Sequence, residues 1–170
     1  AATRARLGVT ASRPLVLYAP TWRGTLETVS YAVDKLREEL RHLAARHDCQ
    51  ILFRGHHLLE SVIGPDGDVG CRVAHPQVDT NELLAVVDVL ITDYSSVFFD
   101  FLPVGKPVIY YVFDLDEYMA HRGLYFSMDE MPGYQCRDLP ALSQALGQAL
   151  TGRLADADHM TVAINALQMP

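Results

Sequence analysis

The alternation of short apolar runs with longer amphipathic stretches is the feature that most constrains the fold of this chain. The apolar runs lie at 14–20, 50–54, 88–92 and 108–113, with a shorter candidate at 71–74. Runs of this length, bounded by proline, charged or polar residues, are typical of buried strands. Because helical signals separate these strands, the sequence predicts an α/β fold: a Rossmann-like parallel sheet with helices on both faces.

The helical signals differ in kind from one segment to the next. Asp79 or Thr80 is expected to cap a helix that runs to Val87, and Glu82 stands in capping-box spacing from Asp79. A further helix is predicted from about Ser96 to Val104, and Asp138 is expected to cap the last one. The polar, glycine- and proline-rich residues 61–70 and 114–137 are predicted to be loops, the second of them functional. The first predicted helix carries an apolar stripe at Val29, Val33, Leu36, Leu40 and Leu43.

Length and charge bound the function. The 170 residues suit one domain, 1–170, and the net charge of −7 argues against nucleic-acid binding. Three widely spaced cysteines favour reduced thiols in a cytoplasmic protein, and no apolar run approaches the length of a membrane span. The chain starts without methionine, so we expect a fragment of a longer protein in which residues 1–13 and 152–170 are peripheral.

Topology indicates where a ligand would bind. Parallel sheets bind ligands beyond the carboxyl ends of their strands. In this sequence those ends carry polar residues at 20–24, 54–57, 92–96 and from Asp114 onward. We therefore expect one ligand site that draws on these four stretches.

The stretch Thr92-Asp93-Tyr94-Ser95-Ser96 joins a predicted strand to a predicted helix. Free N–H groups in the first turn of a helix, together with serine hydroxyls, can bind an anion. A plain helix cap by Ser95 or Ser96 explains the same residues equally well. The chain has neither a P-loop nor a dinucleotide fingerprint.

The sequence Arg54-Gly55-His56-His57 follows another predicted strand. Arg54 is suited to clamp a phosphate, and His56 to act as a general base or as a donor to phosphate. A surface turn with two incidental histidines is the alternative. No further ligands stand at suitable spacing, so no metal site is predicted.

Several of these motifs occur in one order that resembles a known family, the CDP-glycerol glycerophosphotransferases, which polymerise or prime teichoic acid and related capsule chains. The similarity covers about residues 10 to 150. The motifs are Leu17-Tyr18-Ala19-Pro20-Thr21-Trp22-Arg23, Arg54-Gly55-His56-His57, Leu90-Ile91-Thr92-Asp93-Tyr94-Ser95-Ser96-Val97-Phe98-Phe99-Asp100, Lys106-Pro107-Val108-Ile109-Tyr110-Tyr111, Asp114-Leu115-Asp116-Glu117-Tyr118, Arg122-Gly123-Leu124-Tyr125-Phe126 and Met131-Pro132-Gly133.

The resemblance implies a specific activity. It implies the C-terminal, donor-binding half of a GT-B fold that works with an N-terminal GT-B domain of the same protein. That site would bind CDP-glycerol and transfer glycerol phosphate to a polymer or lipid-linked acceptor with release of CMP. No cofactor is implied. Lipid-linked acceptors imply a cytoplasmic protein that is peripheral at the inner face of the membrane.

The resemblance also implies roles for single residues. His56 matches the histidine of the family's R-x-H motif, which is implicated in the transfer step, and His57 is given no catalytic role. The remaining implied residues would bind the substrate: Thr21, Arg23, Arg54, Thr92, Asp93, Ser95, Ser96, Asp114 and Arg122. Because the family also uses residues of its N-terminal half, nucleotide binding by this chain does not imply turnover.

Two other functions fit the same architecture. One is a sugar-nucleotide GT-B glycosyltransferase or epimerase, and the other is a module that binds nucleotide without catalysis. Fold analogy does not separate them, because one fold hosts many functions.

Overall fold

The computed structural model describes residues 2–21, 29–55, 71–74, 77–123, 128 and 131–153. Within them the chain forms a six-stranded sheet in which every pairing is parallel. The strands are β1 (Leu15–Ala19), β2 (Gln50–Phe53), β3 (Cys71–Val73), β4 (Val89–Thr92), β5 (Val108–Tyr111) and β6 (Tyr134–Cys136). The helices are α1 (Ala2–Arg6), α2 (Val29–His47), α3 (Thr80–Val86), α4 (Val97–Phe101), α5 (Leu115–His121) and α6 (Leu139–Leu150), and a 3₁₀ turn spans Leu102–Val104.

The strand order creates one position where a ligand crevice is expected. The order is β3-β2-β1-β4-β5-β6, so the chain builds outward from β1 in one direction and then returns to β4 on its other side. Where the order reverses, the loops after two adjacent strands diverge to opposite faces and leave a crevice at the carboxyl edge. In this sheet the reversal lies between β1 and β4, whose last residues Ala19 and Thr92 are register partners. The predicted Rossmann-like α/β fold is confirmed.

Two apolar layers hold helices against both faces of the sheet. On one face, α2 and α6 pack through residues such as Leu40, Leu43 and Leu146, each at most 1% exposed. On the other, α3 and α4 pack through Leu83 and Phe101, which are fully buried. The central strands β1, β4 and β5 are buried at every position, which explains why they appear in the sequence as continuous apolar runs.

Helix caps follow the sequence closely. The Asp79 carboxylate accepts a hydrogen bond from the N–H of Asn81 at 2.8 Å, and that of Asp138 accepts from Ala141 at 2.8 Å. Both predicted aspartate caps are confirmed. Ser96 stands at the N-cap position of α4, but its side chain makes no capping hydrogen bond.

Two segments differ from expectation. The predicted functional loop 114–137 contains helix α5 and edge strand β6, so that prediction was wrong in part. Helix α5 buries none of its residues and β6 spans only Tyr134–Cys136, so neither presents an apolar pattern long enough to recognise. Residues 1–13 were expected to be peripheral, yet α1 lies against α3, and Leu7 and Val9 are only 7% and 8% exposed.

Two further features bear on the expectations from sequence. The predicted loop 61–70 lies outside the described residues, as does the chain after Arg153. No helix in the described part of the chain is long and apolar enough to cross a membrane.

Candidate functional site

The loops that leave β1 and β4 are joined by a carboxylate at the point where the strand order reverses. The N–H of Thr21 donates to Asp93 Oδ1 at 2.8 Å and to Oδ2 at 2.9 Å. The hydroxyl of Thr21 donates to Asp93 Oδ1 at 2.7 Å. Thr21 and Asp93, two of the predicted site residues, are therefore in direct contact at the carboxyl edge of the sheet.

Asp93 also organises the turn that follows it. Its Oδ1 accepts hydrogen bonds from the N–H groups of Tyr94 at 2.5 Å and Ser95 at 3.2 Å. The residue is only 2% exposed, and its carboxylate is surrounded by donors. A buried carboxylate needs such donors to offset its desolvation. In this structure Asp93 shapes the crevice from inside, and the substrate contact expected from sequence stays a prediction.

Thr92 has a similarly internal role. Its hydroxyl donates to the carbonyl oxygen of Ala19 at 2.7 Å, and the residue is fully buried. The bond fastens β4 to β1 where the crevice opens. The donor of the Thr92 side chain is therefore used inside the sheet, and its role in substrate binding stays a prediction.

The two serines are the part of the turn that is accessible. Ser95 is half-buried, and its Oγ accepts a long hydrogen bond of 3.4 Å from the N–H of Val97. Ser96 is exposed, and within the described residues its hydroxyl and N–H have no partner. Helix α4 has only five residues before the 3₁₀ turn, so its dipole is weaker than that of the longer helix predicted. The serine donors, more than the helix dipole, are what this turn offers an anion.

Arg54 leaves β2 on the other side of β1. Its backbone N–H donates to the carbonyl oxygen of Tyr18 at 3.0 Å, which continues the strand pairing to the carboxyl edge. The guanidinium, half-buried, donates to the carbonyl oxygen of Val78 at 2.9 Å. This contact holds the end of the side chain at the residue before the N-cap of α3. His56, His57 and Arg23 lie outside the described residues.

An aromatic cluster links the serine turn to α5. The Tyr94 hydroxyl donates to Asp114 Oδ1 at 3.0 Å, and the Tyr94 ring stacks on Tyr118 with centroids 3.8 Å apart. The Arg122 guanidinium carbon lies 6.0 Å from the centroid of the Tyr118 ring. The structure thus connects Asp114 and Arg122, both predicted site residues, to the turn through two tyrosines. Neither tyrosine was given a role from sequence, because the stacking joins elements that are distant along the chain.

Other groups that could do chemistry are set apart from the crevice. Within the described residues, no cluster of histidine, cysteine, aspartate or glutamate could hold a metal ion. Cys49 and Cys136 are free and buried, and desolvation raises the pKa of each thiol to about 11. At neutral pH both are therefore protonated and poor nucleophiles.

The strand order and its polar crevice define a Rossmann-like α/β domain of the kind found in GT-B glycosyltransferases. The glycosyltransferase SnogD of Streptomyces nogalater shares the fold, with a TM-score of 0.55, 19% identity and coverage of 95% of this chain and 42% of that one. Structures of the wall teichoic acid polymerase TagF are closer in geometry. One has a TM-score of 0.80 at 26% identity, covering 96% of this chain and 41% of TagF.

Sequence comparison places the chain within one family. The profile of the CDP-Glycerol:Poly(glycerophosphate) glycerophosphotransferases matches residues 1–165, and the chain belongs to this family. The teichoic acid glycerol-phosphate transferase of Staphylococcus aureus (strain NCTC 8325 / PS 47) is 34% identical over 155 residues, which cover 85% of this chain and 38% of that protein. The teichoic acid poly(glycerol phosphate) polymerase of Bacillus subtilis (strain 168) is 34% identical over 142 residues, 76% of this chain and 18% of that protein. The chain therefore spans less than half the length of these relatives.

Proposed function

We propose that this chain is the donor-binding domain of a CDP-glycerol glycerophosphotransferase in the synthesis of teichoic acid or a capsular polysaccharide. The observation that carries the proposal is the polar crevice between β1 and β4, where Asp93 holds the Thr21 loop and leaves Ser96 exposed. Membership of the family supports the choice of donor. A TagF variant soaked for 30 minutes with CDPG, at a TM-score of 0.80 to this chain, adds support.

The donor pyrophosphate would lie against the serine turn. Ser95 offers its hydroxyl and Ser96 its hydroxyl and N–H at the crevice, and Arg54 and Arg23 would supply positive charge from the loops after β2 and β1. Phosphoryl transfer depends mainly on positioning and on neutralising charge, so a site without a P-loop needs these donors. Thr92 and Asp93 would act indirectly by fixing the turn. Asp114 and Arg122 would border the site through Tyr94 and Tyr118.

The reaction would be a displacement at phosphorus. A hydroxyl of the acceptor attacks the phosphorus that carries glycerol, its bond to the bridging oxygen breaks, and CMP leaves with the electron pair. The acceptor proton passes to a base, and we assign this role to His56, which directly follows Gly55 at the carboxyl end of β2. Glycerol phosphate is then joined to the acceptor through a phosphodiester bond.

The partners follow from the same reaction. A GT-B enzyme closes its active site between two domains, so we propose that an N-terminal GT-B domain of the same protein supplies the acceptor side of the cleft. A polymer or lipid-linked acceptor would bring the protein to the inner face of the membrane. Fractionation of cells that produce the whole protein tests this: recovery only in the soluble fraction would contradict it.

Nucleotide specificity is the first test. Calorimetric titration of the chain with CDP, CMP and UDP should show the tightest binding for CDP. Tighter binding of UDP would favour a sugar-nucleotide glycosyltransferase or epimerase, and binding of none of the three would refute the donor site. If CDP bound but the whole protein showed no turnover, the chain would be a module that binds nucleotide without catalysis.

The catalytic role of His56 has a matched control in its neighbour. In the whole protein, His56→Ala should lower kcat by roughly 10²–10⁴-fold, the usual contribution of a general acid–base group. His57→Ala makes the same chemical change one residue away and should leave kcat within about twofold. Equal losses in the two variants would remove His56 from the mechanism and indicate a structural effect of the turn.

A further inference from the structure

A second, separate groove lies on the outer surface between α2 and α6. It has a volume of about 660 Å³ and is lined by His42, Arg46 and His47 from the end of α2 and by one face of α6. On α6 and its C-cap the lining residues recur every four positions, at Leu139, Ser143, Gly147 and Thr151. Twelve residues of helix rise by about 18 Å, so the groove is elongated and runs the length of α6.

The helices are held close enough to give the groove a fixed floor. His47 Nε2 forms a 2.9 Å hydrogen bond with the hydroxyl of Ser143, which is 8% exposed. Gly147 lies directly beneath the same imidazole, since a Cβ there would be 3.1 Å from His47 Cε1. The groove is therefore a shaped feature of the fold in which a larger residue at 147 would displace the His47 ring.

The charge of the groove is opposite to that of the chain. The protein has a net charge of −7, yet within the described residues no aspartate or glutamate lines the groove. Arg46 and Arg153 are exposed on its rim, and in the described part of the chain neither guanidinium is paired with a carboxylate. Partial burial, and then the charges of Arg46 and His42, lower the pKa of His47. Unpaired cations that converge on a concave surface attract anions.

We propose that the α2–α6 groove binds a linear polyanion whose charges are phosphodiesters. Arg46 lies near the end of α2 and Arg153 follows the end of α6, and the imidazole of His42 stands one helical turn before Arg46, so the two arginines and this ring are spread along a line. A single phosphate would contact only part of this line, whereas a chain of phosphates can contact all of it. Gln144 and Gln148 add neutral donors along the same face.

A chain fits this surface better than a membrane does. A bilayer surface is contacted by convex, apolar-tipped faces. The large exposed hydrophobic residues in the described part of the chain are Phe113 and Met119, and neither lines the groove. Leu139 and Pro140 are the apolar residues that line the groove, and its remaining side chains are polar or cationic, which matches an extended anion better than a bilayer.

The position of the groove suggests what the chain would be. Helix α6 follows β6, so the Leu139 end of the groove lies toward the carboxyl edge of the sheet, where the donor crevice opens. Its Arg153 end lies toward the amino edge. A phosphodiester polymer in the groove would thus have one end toward the edge of the sheet at which transfer takes place and would be retained between additions. The choice of this polymer as occupant rests on the proposed function, whereas the anion-binding groove itself does not.

The test compares groove variants with a matched surface variant in the binding of a synthetic glycerol phosphate hexamer to the full chain. The double variant Arg46→Gln, Arg153→Gln should weaken hexamer binding by about tenfold or more, because charge-assisted hydrogen bonds to phosphate are lost. The single variant Arg46→Gln should already weaken binding, whereas Arg41→Gln, which removes one charge from an exposed position of α2 outside the groove, should change affinity by less than about twofold. Gln148→Glu, which removes no arginine, should also weaken binding.

The other outcomes are decisive in either direction. Equal affinity of the double variant and the wild type would overturn the proposal, as would inorganic phosphate binding as tightly as the hexamer. If the wild-type chain bound phosphatidylglycerol vesicles but not the hexamer, and the double variant lost vesicle binding, the groove would be a membrane-binding surface instead. CDP titration separates the two proposals: CDP bound with no hexamer binding refutes the groove alone. Hexamer bound through the groove with no CDP binding refutes the donor site alone.

Discussion

Replacement of Asp93 should separate the residues that build the crevice from those that contact the ligand. Its carboxylate accepts from the Thr21 N–H and hydroxyl and from the N–H groups of Tyr94 and Ser95, at 2.5–3.2 Å. Asp93→Ala leaves these donors without their acceptor at a position that is 2% exposed. A hydrogen bond to a charged group contributes about 1.5–3 kcal/mol, and water can replace part of the loss, so we expect a destabilisation of about 3–5 kcal/mol.

Urea unfolding measures this effect directly. With a slope of about 2 kcal/mol per molar, the transition midpoint of Asp93→Ala should fall by roughly 2 M. Asp93→Asn keeps one acceptor oxygen but loses the charge and should show about half that shift. Thr21→Val removes only the 2.7 Å hydroxyl bond and should cost about 1–2 kcal/mol.

The reverse pattern is expected at Ser96. It is exposed and makes no capping hydrogen bond, so Ser96→Ala should leave the urea midpoint unchanged and weaken CDP binding. If Asp93→Ala instead kept the wild-type midpoint and lost CDP binding, the carboxylate would be a ligand contact. The structural role derived for it would then be refuted.

Two further predictions concern the edges of the sheet. Partial burial works to raise the pKa of Asp88, but a backbone N–H, Arg4 and Lys106 outweigh it and hold the pKa below its ordinary value. The stability contributed by this carboxylate is therefore present above about pH 4 and lost as the pH falls through the lower pKa of the folded state. The Asp88 side chain is 36% exposed, so Asp88→Asn should lower the free energy of unfolding in urea by about 1–2 kcal/mol at pH 7 and by less at pH 3. An equal loss at both pH values would contradict this. Gly133→Ala would set a Cβ 2.6 Å from a backbone carbonyl oxygen at a φ of +136° and should cost about 2–4 kcal/mol in thermal unfolding. Gly105→Ala is the control, because there is open space around its Cβ, and it should cost about 1 kcal/mol. Equal costs for the two variants would refute the clash at Gly133.

The sheet and the location of the crevice were predictable from sequence because both depend on burial. A parallel strand covered on both faces appears as an unbroken apolar run, and β1, β4 and β5 do so. Once these strands are assigned, the rule that ligands bind at the carboxyl edge indicates the loops after them. By contrast, α5 has no buried face and β6 is a three-residue edge strand, so neither carries a periodic signal.

The roles of single residues in the crevice were less predictable, because they depend on the direction in which each side chain points. Sequence shows that Thr92, Asp93, Ser95 and Ser96 are all polar but not which of them face inward. The strand pairing with β1 fixes that choice: it aims the Thr92 hydroxyl at Ala19 and leaves Ser96 in solvent. The Tyr94–Tyr118 stack was unpredictable for the same reason, since it pairs two elements whose packing no local pattern records.

The placement of Asp93 bears on how a phosphate could bind beside it. An unpaired carboxylate at the mouth of the crevice would repel a pyrophosphate, and the repulsion would be strong where water is excluded. In this structure the donors from Thr21, Tyr94 and Ser95 offset that charge, and the carboxylate is withdrawn from solvent. The acid therefore orients the turn without facing the anion. It also consumes the N–H groups nearest to it, so net positive charge for a phosphate must come from outside the turn. Arginine side chains such as Arg54 are suited to supply it, and Arg54→Ala should accordingly weaken CDP binding more than Ser96→Ala does.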